Sequence, residues 1–318
     1  MRLANANTNA KRAVRTMGKH AQSHAQQTAA SEAAGAARPA KKEKRSLPGI
    51  VWILLGIVTL LYLIVATLYN DYQLDKRAES YADKVEQIEP DERTREYLDG
   101  AHEYNDWLDA QGHHAMPPEP GSPGFDRYMK TLDAPETDGV IARLRIPSID
   151  VDLPVYHTTH SSVLYNGAGH MFGSDLPVGG KGTNSVISAH TGMVDASMFD
   201  NLPRIKDGAD VYVEVMGQRL RYTITGRVVV RPGDYDAVTY EQDRDKLTLI
   251  TCTPYGLNTN RLLVVADRAD PVGDADKGGW RPTLSWWMIL DLLVILIVLL
   301  IIAYREWKKR RKNKDAES

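Results

Sequence analysis

The sequence predicts a mainly β fold, a closed β-barrel or a sandwich with short helices, preceded by a helical region and flanked by two transmembrane helices. Three observations predict it. Seven short segments rich in Val, Ile, Thr and Tyr, bounded by Gly, Pro and Asp, fall between residues 139 and 270. Two apolar runs, 50–69 and 286–304, bracket that region and hold one charge between them, Asp291. Between the first run and the strands, apolar residues recur at helical spacing among alternating charges.

Residues 1–49 carry a net charge of +8 and almost no large apolar residue. Such a stretch cannot bury enough apolar area to offset the entropy of ordering, which predicts a disordered basic tail. The run IVWILLGIVTLLYLIVATLY (50–69) is uncharged throughout. As a helix it would be about 30 Å long, the thickness of a hydrocarbon core. A cleaved signal peptide competes with a signal anchor. The long preceding tail, the length of the run and the lack of an A-x-A site oppose cleavage.

The run WWMILDLLVILIVLLIIAY (286–304) opens on Trp286 and Trp287 and closes on Tyr304, aromatics of the kind that mark a membrane interface. Asp291 lies near its start, away from mid-bilayer, where a carboxylate costs roughly 3 kcal/mol. Residues 305–318 form a second basic tail of net +4. Basic flanks stay cytoplasmic. The expected protein is therefore two-pass in the cell membrane, with both termini cytoplasmic and residues 70–285 outside. The formal net charge of -2 conceals +8 and +4 on the tails and -14 between them. It offers no support for a nucleic-acid partner; the partner these runs imply is the lipid bilayer.

Residues 70–138 read as a helical, lid-like region. Leu74, Ala78, Tyr81, Ala82 and Val85 share one helical face, and Pro90 breaks the run. A second helix is expected over 91–110. The loop QGHHAMPPEPGSPG (111–124) follows, dense in Pro and Gly. His113 and His114 could ligate a metal, but adjacent histidines on a loop point apart, so a solvated pair is expected. The strands of a barrel domain over 139–270 are expected at 139–146, 151–156, 184–189, 209–216, 219–231, 246–252 and 261–266, with a hairpin turn at Met216-Gly217-Gln218 and a short helix over 195–205. Residues 271–285 form a linker. One cysteine excludes an internal disulfide and a Cys-rich zinc site. No phosphate loop or dinucleotide fingerprint is present.

That cysteine, Cys252, ends an apolar strand and precedes a polar turn, where catalytic groups concentrate. A buried structural thiol is the commoner fate of a lone cysteine. Arg261 opens the next strand. If the two strands pair, its guanidinium approaches Cys252 and could stabilise a thiolate or an oxyanion; the alternative is an edge salt bridge. His190 also ends an apolar strand and is a candidate general acid/base. Spacing alone does not choose it over His102, His157, His160 and His170.

The stretch TLITCTPYGLNTNRLLV (248–264) resembles the active-site signature of sortases, most closely class C, the pilin polymerases of Gram-positive bacteria. IPSIDVDLPVYHTT (146–159), GAGHMFGSDLPVGG (167–180) and SVISAHTGM (185–193) agree in order and approximate spacing. The resemblance implies a sortase-type closed β-barrel with Cys252 as nucleophile, His190 as general acid/base and Arg261 as substrate-orienting, oxyanion-stabilising group. His157 and His170 fall on family positions that are not catalytic. Thr251, Thr253, Tyr255 and Asn258 would meet the substrate. The implied reaction is cleavage of an LPxTG-type sorting signal between Thr and Gly through a thioester, then transfer to a lysine of the next pilin subunit. No cofactor or metal is implied. The partners are pilins or surface proteins bearing such signals, with a lysine or a peptidoglycan amine as acceptor.

One departure stands out. Class C enzymes carry an Asp-Pro-aromatic lid motif after a helix resembling HEYNDWL (102–108), and the loop 111–124 has none. Asp133-Ala134-Pro135 is a poor substitute; Met116 or Phe125 could plug the groove instead. The competing functions are anchoring of surface proteins to peptidoglycan, a catalytically inactive tethered binding module and an L,D-transpeptidase. The last packs its Cys, His and Arg more closely in sequence than positions 190, 252 and 261.

Overall fold

The computed structural model describes residues 49–114, 120–270 and 284–317. The expected basic tail up to residue 48, Met116 and the linker up to residue 283 lie outside the described residues.

The first span and the helix expected after it are one rod, α1 (Gly49–Val85), because no helix breaker intervenes before Pro90. Its distal part lays Leu74, Ala78, Tyr81 and Val85 against the barrel as a single buried stripe. The Tyr81 hydroxyl donates to the Ile141 carbonyl at 2.9 Å and accepts from the Met216 N–H at 3.0 Å. α2 (Asp91–Gln111) starts after Pro90 and stops at Gly112, whose φ of 81° suits a left-handed C-cap. From α2, Asn105 grips the backbone of Leu176 through both ends of its amide, at 2.8 and 3.1 Å. α3 (Phe125–Lys130) follows the loop.

Eight strands close into a barrel: β1 (Val140–Ile146), β2 (Val151–His157), β3 (Ala168–His170), β4 (Asn184–Ser188), β5 (Asp210–Val215), β6 (Gln218–Val230), β7 (Lys246–Thr253) and β8 (Asn260–Arg268). Their order is β1-β2-β3-β4-β7-β8-β6-β5, and β5 pairs back on β1. All seven expected strands form. The eighth, β3, has three residues, too few to show a period. The Met216-Gly217 turn has positive φ at both positions, 42° and 79°, which matches the twist of a two-residue hairpin. A short helix, α4 (Ser161–Leu164), lies between β2 and β3.

The helix expected over 195–205 does not form; only a turn at Leu202–Arg204 does. Its backbone donors are spent elsewhere. Ser197 N–H bonds the Asp71 carboxylate at 2.8 Å, and Phe199 N–H bonds the His190 carbonyl at 3.0 Å. The second apolar run is the first part of α5 (Trp286–Glu317), which continues through the basic tail. α1 and α5 are each long and apolar enough to cross a membrane. Val58, Val65, Ile297 and Leu300 are exposed on them, a bare apolar surface that suits a bilayer and not water.

Candidate active site

Strand direction assembles the site. β4 and β7 are parallel neighbours, so both end at the same mouth of the barrel, and antiparallel β8 begins there. Cys252 on β7 is the register partner of Arg261 on β8. Ser188 faces Ile250, and the Ala189 N–H continues the ladder to the Ile250 carbonyl at 3.1 Å. His190 and Cys252 each lie two residues beyond that last register pair, at the same mouth of the barrel. The turns beyond them also meet: a Cβ on Gly192 would lie 3.6 Å from the Gly256 nitrogen.

Alternation along β7 decides which side chains face the groove. Leu247 and Leu249 point into the main core. Ile250 points the other way, into a small cluster with Met171, Val186, Val238 and Leu263. Cys252 shares the face of Ile250. There, Ser188, Ile250, Arg261 and Leu263 floor a groove of about 240 Å³, walled by residues 230–235 and by Thr159 and Leu164. Val230 ends β6 and Leu164 ends α4, while the rest of these walls comes from connections between elements, where periodicity gives no signal.

Cys252 is a free, half-buried thiol. Arg261 Nη1 donates to the carbonyls of Asn258 and Asn260, at 3.2 and 3.1 Å. Among the described residues it forms no ion pair, so the edge salt bridge is absent. His190 is half-buried, and desolvation holds its pKa below the usual histidine value. Its turn is built on Asp200, whose Oδ1 accepts from Thr191 Oγ1 at 2.9 Å and from Gly192 N–H at 2.8 Å. Burial raises the Asp200 pKa to about 6 despite those bonds. Asp200 was invisible in the sequence, since it lies in the segment expected to be a helix.

The other histidines have different jobs. His170 is fully buried, with Nε2 2.7 Å from the Asp175 carbonyl and Nδ1 3.0 Å from the Tyr128 hydroxyl. Burial drops its pKa to about 3. His157 is buried with Nε2 2.8 Å from the Thr131 carbonyl. His102 and His160 are exposed.

Of the residues expected to meet substrate, Thr251 turns inward: it is 1% exposed and its hydroxyl donates to the Ala189 carbonyl at 2.9 Å. It ties β7 to the His190 turn instead of lining the groove. Thr253 is half-buried on that same inward alternation. Tyr255 packs edge-on against Trp286, with ring centroids 5.5 Å apart. Asn258 is exposed and lends Arg261 its carbonyl.

The solvated pair expected at 113–114 needs correction. The His113 side chain is 7% exposed, with Nε2 3.0 Å from Asp175 Oδ1, and it stacks on Tyr240 at 3.8 Å. His114 meets Phe172 edge-on. Phe125 packs on Phe172 and Tyr128, so it does not plug the groove. Asp133-Ala134-Pro135 contributes a buried Ala134 and the start of a single turn. Among the described residues no group of three or more His, Cys, Asp or Glu gathers as a metal would require.

Residues 144–269 match the family model of the Sortase domain. Sortase C-1 of Actinomyces oris is 42% identical, covering 56% of this chain and 99% of that one, with a TM-score of 0.51. Streptococcus pneumoniae sortase C is 32% identical, covering 62% and 98%, with a TM-score of 0.52. Sortase A of Bacillus anthracis is 25% identical over 225 residues, 70% of this chain and 95% of that protein. The chain belongs to the sortase family of cysteine transpeptidases, within class C.

Proposed function

We propose that this protein joins pilin subunits. It would cleave an LPxTG-type sorting signal between Thr and Gly and transfer the new carboxyl end to a lysine amine of the next subunit. The observation that carries this reading is the convergence of Cys252, Arg261 and His190 at one barrel mouth, beside a groove of about 240 Å³.

The Cys252 thiolate attacks the Thr carbonyl carbon. The carbonyl oxygen gathers negative charge, and the Arg261 guanidinium stabilises it. Losing such a donor typically costs about 3 kcal/mol of transition-state stabilisation. As the C–N bond breaks, protonated His190 passes a proton to the departing Gly amine. The thioester then meets a lysine amine. Neutral His190 takes the amine's proton, an isopeptide bond forms, and Cys252 leaves as thiolate. Burial favours the neutral imidazole before substrate arrives; that imidazole takes the Cys252 thiol proton as the thiolate forms, and this is the proton later passed to the Gly amine.

The two apolar helices support a two-pass membrane protein with both basic ends cytoplasmic and the barrel outside. Among the relatives, the pneumococcal sortase C structure is described in terms of pilin substrate specificity. The second reading, peptidoglycan as acceptor, draws on the likeness to a sortase A.

The test is mass spectrometry of products after the full chain, in detergent, meets candidate pilins with and without cell-wall precursor. A Thr–Lys isopeptide between subunits supports the proposal. Transfer only to the cross-bridge amine would replace it with the second reading, and hydrolysis of an unrelated bond would end both.

A further inference from the structure

Both apolar helices are fastened, at the outer ends of their apolar runs, to the two turns that bear the site. In α1, Thr67 Oγ1 donates to the Val194 carbonyl at 3.0 Å, Asn70 Nδ2 to the Asp195 carbonyl at 2.9 Å, and Asp71 accepts from Ser197 N–H at 2.8 Å. Thr67 and Asn70 straddle the end of the uncharged run. At α5, Trp286 meets Tyr255, and Ser285 Oγ lies 3.4 Å from Ser197 Oγ. The segment 194–197 follows the His190 turn, and Tyr255 follows Cys252.

α1 also serves as a ruler. Tyr81 binds Met216 at the opposite hairpin, and it lies fourteen residues beyond Thr67, roughly 20 Å along a helix. The hairpin end is therefore distal to the apolar run, and the site end is level with its edge. At that level three large side chains are bare: Val194 is 65% exposed, Leu257 73% and Tyr165 61%. The Tyr165 hydroxyl donates to Asp195 at 3.0 Å. An aromatic with its polar tip bonded, beside a carboxylate, suits the headgroup layer and not the hydrocarbon.

The geometry points to a catalytic mouth seated on the outer leaflet, with Tyr165, Val194 and Leu257 immersed in the headgroup layer and the groove opening along the membrane surface. This rests on reading α1 and α5 as membrane spans. A bilayer contact of this kind sets Cys252 level with the membrane surface, and it holds the His190 and Cys252 turns by the same bonds that fasten the two apolar helices.

The experiment uses the full chain in phosphatidylcholine–phosphatidylglycerol vesicles containing lipid with a nitroxide high on its acyl chain. Cys252→Ala removes the native thiol. Single cysteines are then introduced as Val194→Cys, Leu257→Cys, Lys181→Cys at the distal end and Val58→Cys within the first run, each carrying a polarity-sensitive fluorophore. Labels at 58, 194 and 257 should lose fluorescence to the nitroxide, while the label at 181 should not. Quenching at 58 with none at 194 and 257 would show a barrel standing clear of the bilayer and overturn the inference. No quenching at 58 would overturn the membrane reading itself, and this inference with it.

Discussion

β7 begins on Lys246 and ends near Cys252, and its two ends are opposites. At the first, Lys246 is 3% exposed and its ammonium bonds Glu241 at 2.7 Å and Thr239 Oγ1 at 2.9 Å. Arg244 pairs with Glu241 and Asp267. Asp245 takes the Tyr222 hydroxyl at 2.9 Å and the Gly180 N–H at 3.0 Å. Arg244, Lys246 and Arg268 each have an acid there. At the other end, Arg261 has only backbone carbonyls. The segment between the basic tails has an acidic excess, yet Arg261, the register partner of Cys252, pairs with no carboxylate among the described residues. The far end pairs its charges within the fold, and the near end leaves Arg261 without a carboxylate.

The largest expected effect breaks the near end alone. Cys252→Ala should abolish thioester formation and all transfer while the protein still folds and reaches the membrane. Pilin polymers made at a wild-type rate by that variant would defeat the mechanism. Next is Arg261→Lys, which keeps the charge but loses the planar fork. Turnover should fall by about a hundredfold, the scale of losing one oxyanion donor. Arg244→Lys at the far end should leave turnover unchanged. Equal effects from the two substitutions, measured as kcat/KM on a sorting-signal peptide, would erase the contrast.

Tyr81→Phe sharpens the comparison from the other side. It strands the buried Met216 N–H and Ile141 carbonyl, which should cost about 1–3 kcal/mol in a denaturant titration. Turnover per folded molecule should not move. The smallest effect is a titration: in Cys252→Ala, the His190 imidazole should titrate below 6.5, because burial opposes its charged form. The sign is direct: the protonated fraction grows only as pH falls past that depressed value. An NMR midpoint at or above 6.5 would contradict the burial argument.

Much of this was legible in residue order. Strand-length patches of Val, Ile and Thr outline seven of the eight strands, since alternation is a local property. The two long apolar helices are legible because runs so nearly free of charge stand out from the rest of the sequence. Cys252 and Arg261 are close because a hairpin-like pairing joins neighbouring strands. The illegible parts are those made by distant segments. His113 is stacked and paired because Tyr240 and Asp175 come from other loops. The segment 195–205 has helical composition, yet its donors go to Asp71 and His190. Asp200 is an ordinary loop acid until the Thr191 and Gly192 donors reach it.

By itself, the sequence determined the apolar spans, the strand set and the family signature, because periodicity, charge and short motifs act over a few residues. The tertiary structure decided that the strand ending at His190 runs beside the one ending near Cys252. That arrangement depends on β4 and β7 lying parallel across some sixty residues of chain, a contact for which no local pattern exists. It also decided that Thr251 faces inward and that both apolar helices contact the turns after His190 and Cys252, since burial and hydrogen-bond partners are properties of the closed barrel.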